Sequence, residues 1–193
     1  MNTANLSIRP ATRGDIPALD ALIPASAREL SGGFYTPAEV DAAVAHVFGV
    51  DAQLIADGTY FVAVIGERIV GCGGWSRRQT ICGGDQAKGA GEDPPIDPGT
   101  DPTRIRAFFV HPEFARRGIG RRLLRECEKA ARAAGFTSAE LAATLPGEPL
   151  YAAHGYDVIE RTTVPTPTGV PLPIVRMRKR LTPSLTSPGR ASA

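Results

Sequence analysis

Val110-His111-Pro112-Glu113-Phe114-Ala115-Arg116-Arg117-Gly118-Ile119-Gly120 is the stretch on which the reading of this chain turns. Upstream, Arg104-Ile105-Arg106-Ala107-Phe108-Phe109-Val110 is rich in strand formers and aromatics. Downstream, Ile119, Leu123, Leu124, Cys127, Ala130, Ala131 and Ala134 recur at helical spacing and leave the charges on the other face. Gly135 supplies the stop. The unit is therefore a strand, a basic glycine-bearing turn and an amphipathic helix. The first turn of a helix presents unpaired backbone N–H groups and the positive end of the macrodipole, which together bind phosphate. Gly118 and Gly120 remove the Cβ atoms that would hold an anion off the backbone. Arg116, Arg117, Arg121, Arg122 and Arg125 crowd the helix end where cations are disfavoured, and a docked anion relieves that repulsion. The plain alternative is a solvated basic surface around a glycine turn.

Two familiar glycine loops do not fit. A Walker A loop closes with Gly-Lys-Ser/Thr, whereas Gly120 precedes Arg121-Arg122. A Rossmann fingerprint needs a third glycine where this chain has Leu123. The run instead closely resembles the acetyl-CoA-binding segment of the GNAT-type N-acetyltransferase superfamily, which reads Val-x-Pro, a short variable stretch, then Gln/Arg-x-x-Gly-x-Gly/Ala before an amphipathic helix. Val110-His111-Pro112 and Gly118-Ile119-Gly120 match in identity and spacing, while Ala115 departs at the Gln/Arg position. Leu150-Tyr151-Ala152-Ala153-His154-Gly155-Tyr156 resembles the family's Tyr-x-x-x-Gly-Phe/Tyr near the C-terminus.

The resemblance implies a set of roles. The cofactor residues would be Phe108, Phe109, Val110, Ala115, Arg116, Arg117, Gly118, Ile119, Gly120 and Arg121. Backbone N–H groups from Arg116 to Arg121 would grip the pyrophosphate, and backbone groups of Phe108 and Val110 would pair with the pantetheine arm. The strand ending near Val110 would splay from the neighbour carrying Glu140 to admit that arm. Tyr151 falls on the family's tyrosine near the sulfur, the general acid for the leaving thiolate; an unperturbed phenol pKa of about 10 suits a proton donor. The alternative is that Tyr151 only packs against the cofactor. Phe34 and Tyr35 fall in the segment that lines the acceptor side of the cleft, or else are packing aromatics.

Relatives with a catalytic Glu or His on this strand carry it where Arg104 and Arg106 stand, and arginine cannot accept a proton. The base must be Glu67, Glu140, His154 or water. Period-2 spacing puts Arg104 and Arg106 on one face, where they could bind an acceptor carboxylate or phosphate, or pair with acids of a nearby loop.

Composition bounds the rest. The chain has 193 residues, 42% hydrophobic and 22% charged, which suits one soluble globular domain. A net charge of +2 with a local basic cluster does not suggest a nucleic-acid binder. No apolar run approaches the ~20 residues of a membrane span, and no leader is read at the N-terminus. Cys72, Cys82 and Cys127 lack metal-ligand spacing, so no metal is expected; Cys72 and Cys127 read as small core residues. Reduced, cytoplasmic residence follows as the default.

Around the central unit the chain alternates strands and helices. Leu6-Ser7-Ile8-Arg9 reads as a strand ended by Pro10. Thr12 or Asp15 caps a helix through Ile16, Leu19, Leu22 and Ile23, which Pro17 and Pro24 shorten or kink. Thr36-Pro37 with Glu39 forms a capping box for a helix through Val40, Ala43, Val44 and Val47. Tyr60–Ile65 and Arg68–Ser76, joined by Gly66-Glu67, are a hairpin; Gly71, Gly73 and Gly74 predict a bulge or close approach in its second strand. Trp75, where that strand leaves the core, is a candidate wall of the acceptor site or a core residue. Residues 83–102, rich in Gly, Asp and Pro, predict a flexible loop, read as disorder in preference to a lid. Strands follow at 138–143, 156–162 and 170–177, with a short helix around 148–154, and the Ser/Thr/Pro-rich tail 181–193 reads as disordered.

These expectations add up to an α/β fold in residues 1–180: a single-domain, mixed, mostly antiparallel central sheet of about six or seven strands with helices on both faces. It is splayed between strands 4 and 5, the acyl-CoA N-acyltransferase fold that the resemblance implies. The expected activity is transfer of acetyl from acetyl-CoA to a primary amine, a small molecule, by a monomer or homodimer. The competing reading is a non-catalytic acyl-CoA-binding or regulatory domain.

Overall fold

The computed structural model describes residues 5–88 and 93–181. The expected disordered tail beyond Leu181, and residues 89–92 of the expected flexible loop, lie outside the described residues. Seven strands form one sheet: β1 (Leu6–Pro10), β2 (Tyr60–Ile65), β3 (Arg68–Ser76), β4 (Thr103–Val110), β5 (Ser138–Thr144), β6 (Asp157–Val164) and β7 (Leu172–Arg180). Their order is β1-β2-β3-β4-β5-β7-β6, with β4–β5 parallel and the other pairs antiparallel. Among the described residues five α-helices accompany them: α1 (Ile16–Leu30), α2 (Pro37–His46), α3 (Ala52–Ala56), α4 (Ile119–Ala133) and α5 (Glu148–Ala152).

Each face of the sheet has its own core. On one side, Leu19, Leu22 and Ile23 of α1 and Leu54 and Ile55 of α3 pack on Tyr60, Val62 and Cys72. On the other, Leu124, Cys127 and Ala131 of α4 pack on Ile105, Leu141 and Met177, while Ile119 and Leu123 cover Leu6, Ala63 and Val70. α1 is longer than the prolines suggested. Pro17 falls in its first turn, and Pro24 is carried inside a helix that runs to Leu30. The Thr36 capping box forms as read, with the hydroxyl accepting from Glu39 N–H at 3.3 Å and the Glu39 carboxylate accepting from Thr36 N–H at 2.7 Å.

Two bulges adjoin the β3 glycines: Val70 is an extra residue on β3 where Ala63 and Val64 oppose Gly71 and Ile69, and a second extra residue lies on β4. Arg106 opposes Gly74 and Phe109 opposes Cys72, so Ala107 and Phe108 together face Gly73. Ala107 takes a φ of +56° to fit the extra residue. Gly73 is glycine because the Phe108 ring lies over it: a Cβ there would stand 2.7 Å from Phe108 Cε2. β4 pairs with β5 over Thr103↔Ala139, Arg104↔Glu140 and Ile105↔Leu141 and then leaves it, while β5 stays paired with β7 through Thr144. The two strands splay where the β4 bulge begins.

The flanks of the expected flexible loop are pinned. Gly84 and Asp85 N–H groups donate to Val47 and Val50 carbonyls at 2.8 and 2.9 Å, and Gln86 Nε2 donates to Phe48 O at 2.7 Å. On the far side, Ile96 N–H donates to Arg77 O at 2.8 Å, and Ile96 is buried in the core. The backbone groups of these described flanks find partners on Val47, Val50, Arg77 and Gln79.

Candidate functional site

The splay opens a cleft of about 560 Å³. One wall is the turn entering α4, with Ala115, Arg116, Gly118, Ile119, Gly120 and Arg121 all on the lining. Gly118 caps α4 in the left-handed region, φ +80° and ψ +8°, and Arg116 is held there too, at φ +62°. Left-handed residues within such a turn aim successive N–H groups inward, the concave arrangement that cradles anions. Arg117 points away from the lining, its guanidinium 5.5 Å from the Phe114 ring centroid. Gly120 brings α4 close to α5: a Cβ there would meet Leu150 Cδ2 at 3.1 Å.

The floor is the freed part of β4, with Phe108, Phe109 and Val110. Val110 N–H donates to Ser26 Oγ of α1 at 3.3 Å. The opposite wall is the β5–α5 segment with Thr144, Gly147, Leu150 and Tyr151, and the half-exposed ring of Phe34 stands at the α1 side.

A second, smaller cavity of about 70 Å³ lies on the α2–α3 side of the splay. Phe48, Phe108, Phe109, Thr144 and Tyr151 line both spaces. Tyr151 is 7% exposed and packs edge-on to Phe108 and Tyr156, with centroids 6.1 and 5.8 Å apart. Burial pushes its phenol well above the ordinary value, so it keeps its proton near neutral pH.

The structure separates the expected acceptor contacts. Arg104 and Arg106 share a face, as their spacing required, but each is engaged within the fold. Arg104 lies 3.3 Å from Glu140. Arg106 lies 2.9 Å from Asp51 and donates to Gly83 O at 2.6 Å, and its side chain is 2% exposed. It lines the smaller cavity; Arg104 lines neither space. Tyr35 lines neither space; its hydroxyl donates to Pro173 O at 2.6 Å and accepts from Leu145 N–H at 2.9 Å. Trp75 also lines neither space and packs in the core. It is paired with Ile105, one step out of phase with Arg106, so strand parity turns it toward the α4 face and Phe136.

The three guessed bases fare no better. Burial would raise the Glu140 carboxyl, but hydrogen bonds from Arg178 and Arg176 and the Arg104 charge outweigh it and hold it below its ordinary value. It accepts from Arg178 at 2.7 Å and Arg176 at 2.6 Å. The His154 ring shares a hydrogen bond with Leu150 O at 2.7 Å. Glu67, Glu140 and His154 are all absent from both linings, and no Asp, Glu or His occurs among the described lining residues.

What sequence reading missed is Asp51. It is fully buried, caps α3 through Gln53 and Leu54 N–H groups, and carries ion pairs to Lys88 and Arg106. Its cap position before a five-residue helix was the available signal. Among the described residues no group of three or more His, Cys, Asp or Glu is placed to hold a metal, and no helix is long and apolar enough to cross a membrane.

Comparison with known proteins agrees with this geometry. A GCN5-related N-acetyltransferase structure from Rhodopseudomonas palustris superposes with a TM-score of 0.68 at 24% identity, over 93% of this chain and 98% of that one. A YncA structure from Salmonella typhimurium, a putative acetyltransferase with its cofactor acetyl-CoA, gives 0.61 at 16% identity over 96% and 99%. PaiA N-acetyltransferase from Thermoplasma acidophilum in complex with coenzyme A gives 0.60 at 14% identity over 91% and 98%. No curated protein matches the sequence. The model of the acetyltransferase (GNAT) family matches residues 26–156, a span holding the splayed strands, the α4 turn and Tyr151, and the chain belongs to that family.

Proposed function

We propose that the protein transfers the acetyl group of acetyl-CoA to a primary amine of a small molecule by direct attack. The observation that carries this is the junction of two spaces at Tyr151, Phe108 and Phe109, one of them bounded by the α4 turn. In this reading the N–H groups of residues 116–121 hold the pyrophosphate, aided by the Arg116 and Arg121 side chains. The pantetheine arm takes the place of the missing β5 ladder and pairs with backbone groups of Phe108 and Val110. The thioester then lies beside Tyr151. The amine enters from the smaller cavity, its lone pair attacks the carbonyl carbon, and Tyr151 holds a proton at the leaving sulfur.

One observation favours a competing reading, a domain that binds acyl-CoA without turning it over: the described linings offer no proton acceptor of the usual kind. Thiol release from acetyl-CoA across a panel of amines separates the two. Release that depends on the amine, with the N-acetyl product seen by mass spectrometry, supports the transferase. Silence across the panel favours the binding domain.

A further inference from the structure

The smaller cavity is specific about what it accepts. Its walls are partly aliphatic and aromatic, with Val47 and Phe48 after α2, Ile81 from the pinned loop, Val164 of β6, and Leu172 and Ile174 of β7, and partly polar, with the backbone of Gly49, Gly83 and Gly84 and the Thr144 hydroxyl. At about 70 Å³, and with roughly 10–15 Å³ needed for a water-sized atom, it holds an acceptor of about five or six heavy atoms.

Three titratable side chains face this space: Arg106 of β4, Cys82 of the loop and Tyr151 of α5. Burial raises the Cys82 thiol, opposed by the Arg106 charge, and the phenol is neutral as described. Among the described lining residues Arg106 is the one charge, and it is already engaged. Its terminal nitrogen serves both the buried Asp51 carboxylate, which stands behind it outside the lining, and the Gly83 carbonyl. Its Nε–H is buried without a hydrogen-bond partner. An anionic acceptor finds no unpaired cation here. An ammonium finds no carboxylate on the described lining, a cation as its nearest charge, and partly apolar walls that penalise ionisation.

We infer that the acceptor is a small amine with an apolar substituent, taken up as the free base into the cavity between the α2–β6–β7 walls and Arg106. The inference rests on the acetyl-transfer reading and names the substrate class of that same site. The step balances without a protein base. The amine nitrogen lone pair forms the C–N bond, the C–S bond breaks with its electrons on sulfur, and a proton from the adduct's ammonium nitrogen ends on the thiol, with Tyr151 Oη between them.

The test is thiol release on the full chain with isobutylamine, methylamine, 2,2,2-trifluoroethylamine, aspartate and spermidine. At pH 7, kcat/KM for isobutylamine should exceed those for aspartate and spermidine by at least tenfold. Its logarithm should climb with unit slope toward the amine's own pKa, whereas the weakly basic trifluoroethylamine should give a flat profile above neutral pH. Ala142→Leu, which narrows the cavity, should shift the methylamine-to-isobutylamine ratio of kcat/KM at least tenfold toward methylamine. Val164→Ala, which widens it, should move the ratio the other way. Turnover that favours aspartate or spermidine overturns the inference while leaving acetyl transfer in place. A plateau common to all amines, set by a protein group, also overturns it. Turnover on no amine of this or a broader panel overturns both.

Discussion

Replacing Gly73 with alanine tests how a remote residue shapes the reaction centre. The added Cβ would stand 2.7 to 2.8 Å from Cε2, Cδ2 and Cζ of Phe108, against a carbon–carbon optimum of about 3.5–4.0 Å. The ring must retreat by about 1 Å, and the neighbour it meets is Tyr151, edge-on at 6.1 Å. Overpacking of this kind costs about 1–3 kcal/mol, a fall in Tm of about 2–12 °C for a domain of this size. A shift of about 1 Å at the thioester end of the cleft should lower kcat by about tenfold or more. Thermal melts and thiol release measure both. The decisive control is the Phe108→Ala background, where the clash is gone. There Gly73→Ala should cost less than about 0.5 kcal/mol or even stabilise, since glycine in a strand is the poorer residue. An equal loss of stability in both backgrounds would refute the reasoning, because the Phe108 ring would then not be what the methyl meets.

Three further outcomes are expected. Tyr151→Phe should lower kcat by about 100-fold at most pH values and leave acetyl-CoA affinity within about twofold, because the lost group is a proton holder and the ring that packs on Phe108 remains. Asp51→Asn leaves Arg106, 2% exposed, without its counter-charge; it should destabilise by about 3–5 kcal/mol and expose residues 83–88 to limited proteolysis. Glu140→Gln removes a carboxylate held below its ordinary pKa. Its stabilisation is present above the ordinary carboxylate range and is lost as pH falls below that range through the lowered folded-state value. The difference in Tm between wild type and variant should therefore be largest near pH 7 and shrink toward pH 3. Arg176 and Arg178 can turn to solvent, so the cost at pH 7 should be nearer 2 than 5 kcal/mol.

Much of the architecture was legible because local rules carry it. The Gly66-Glu67 hairpin, the Thr36 capping box and the α4 stripe are written in neighbours, and each forms with nearly the expected bounds. α3 was not legible, since five residues are too few to show a period. The fate of Arg104 and Arg106 was hidden for a different reason. Their partners Glu140 and Asp51 lie 36 and 55 positions away, and only the parallel β4–β5 pairing and the packing of α3 bring them near. Trp75 illustrates a single-residue effect: one step of strand parity sends its ring to the α4 core instead of the cavity. The glycines of β3 pointed correctly to an irregularity, since β3 carries the extra residue Val70 beside Gly71; the second extra residue is on β4, where nothing in Ala107 announces a positive φ.

The central claim is that the turn from Ala115 to Arg121 holds acetyl-CoA. Isothermal titration of acetyl-CoA into wild type and Gly118→Ala tests it most directly. Gly118 sits at φ +80° with its nearest new contact, Arg121 Nη2, at 3.6 Å, so the alanine brings backbone strain of about 1–2 kcal/mol and a methyl into the cradle but no clash with the rest of the fold. Wild type should bind one equivalent with micromolar affinity, and the variant should bind at least tenfold more weakly while remaining folded. Binding that is unchanged in the variant, or no binding by wild type at millimolar acetyl-CoA, would contradict the account.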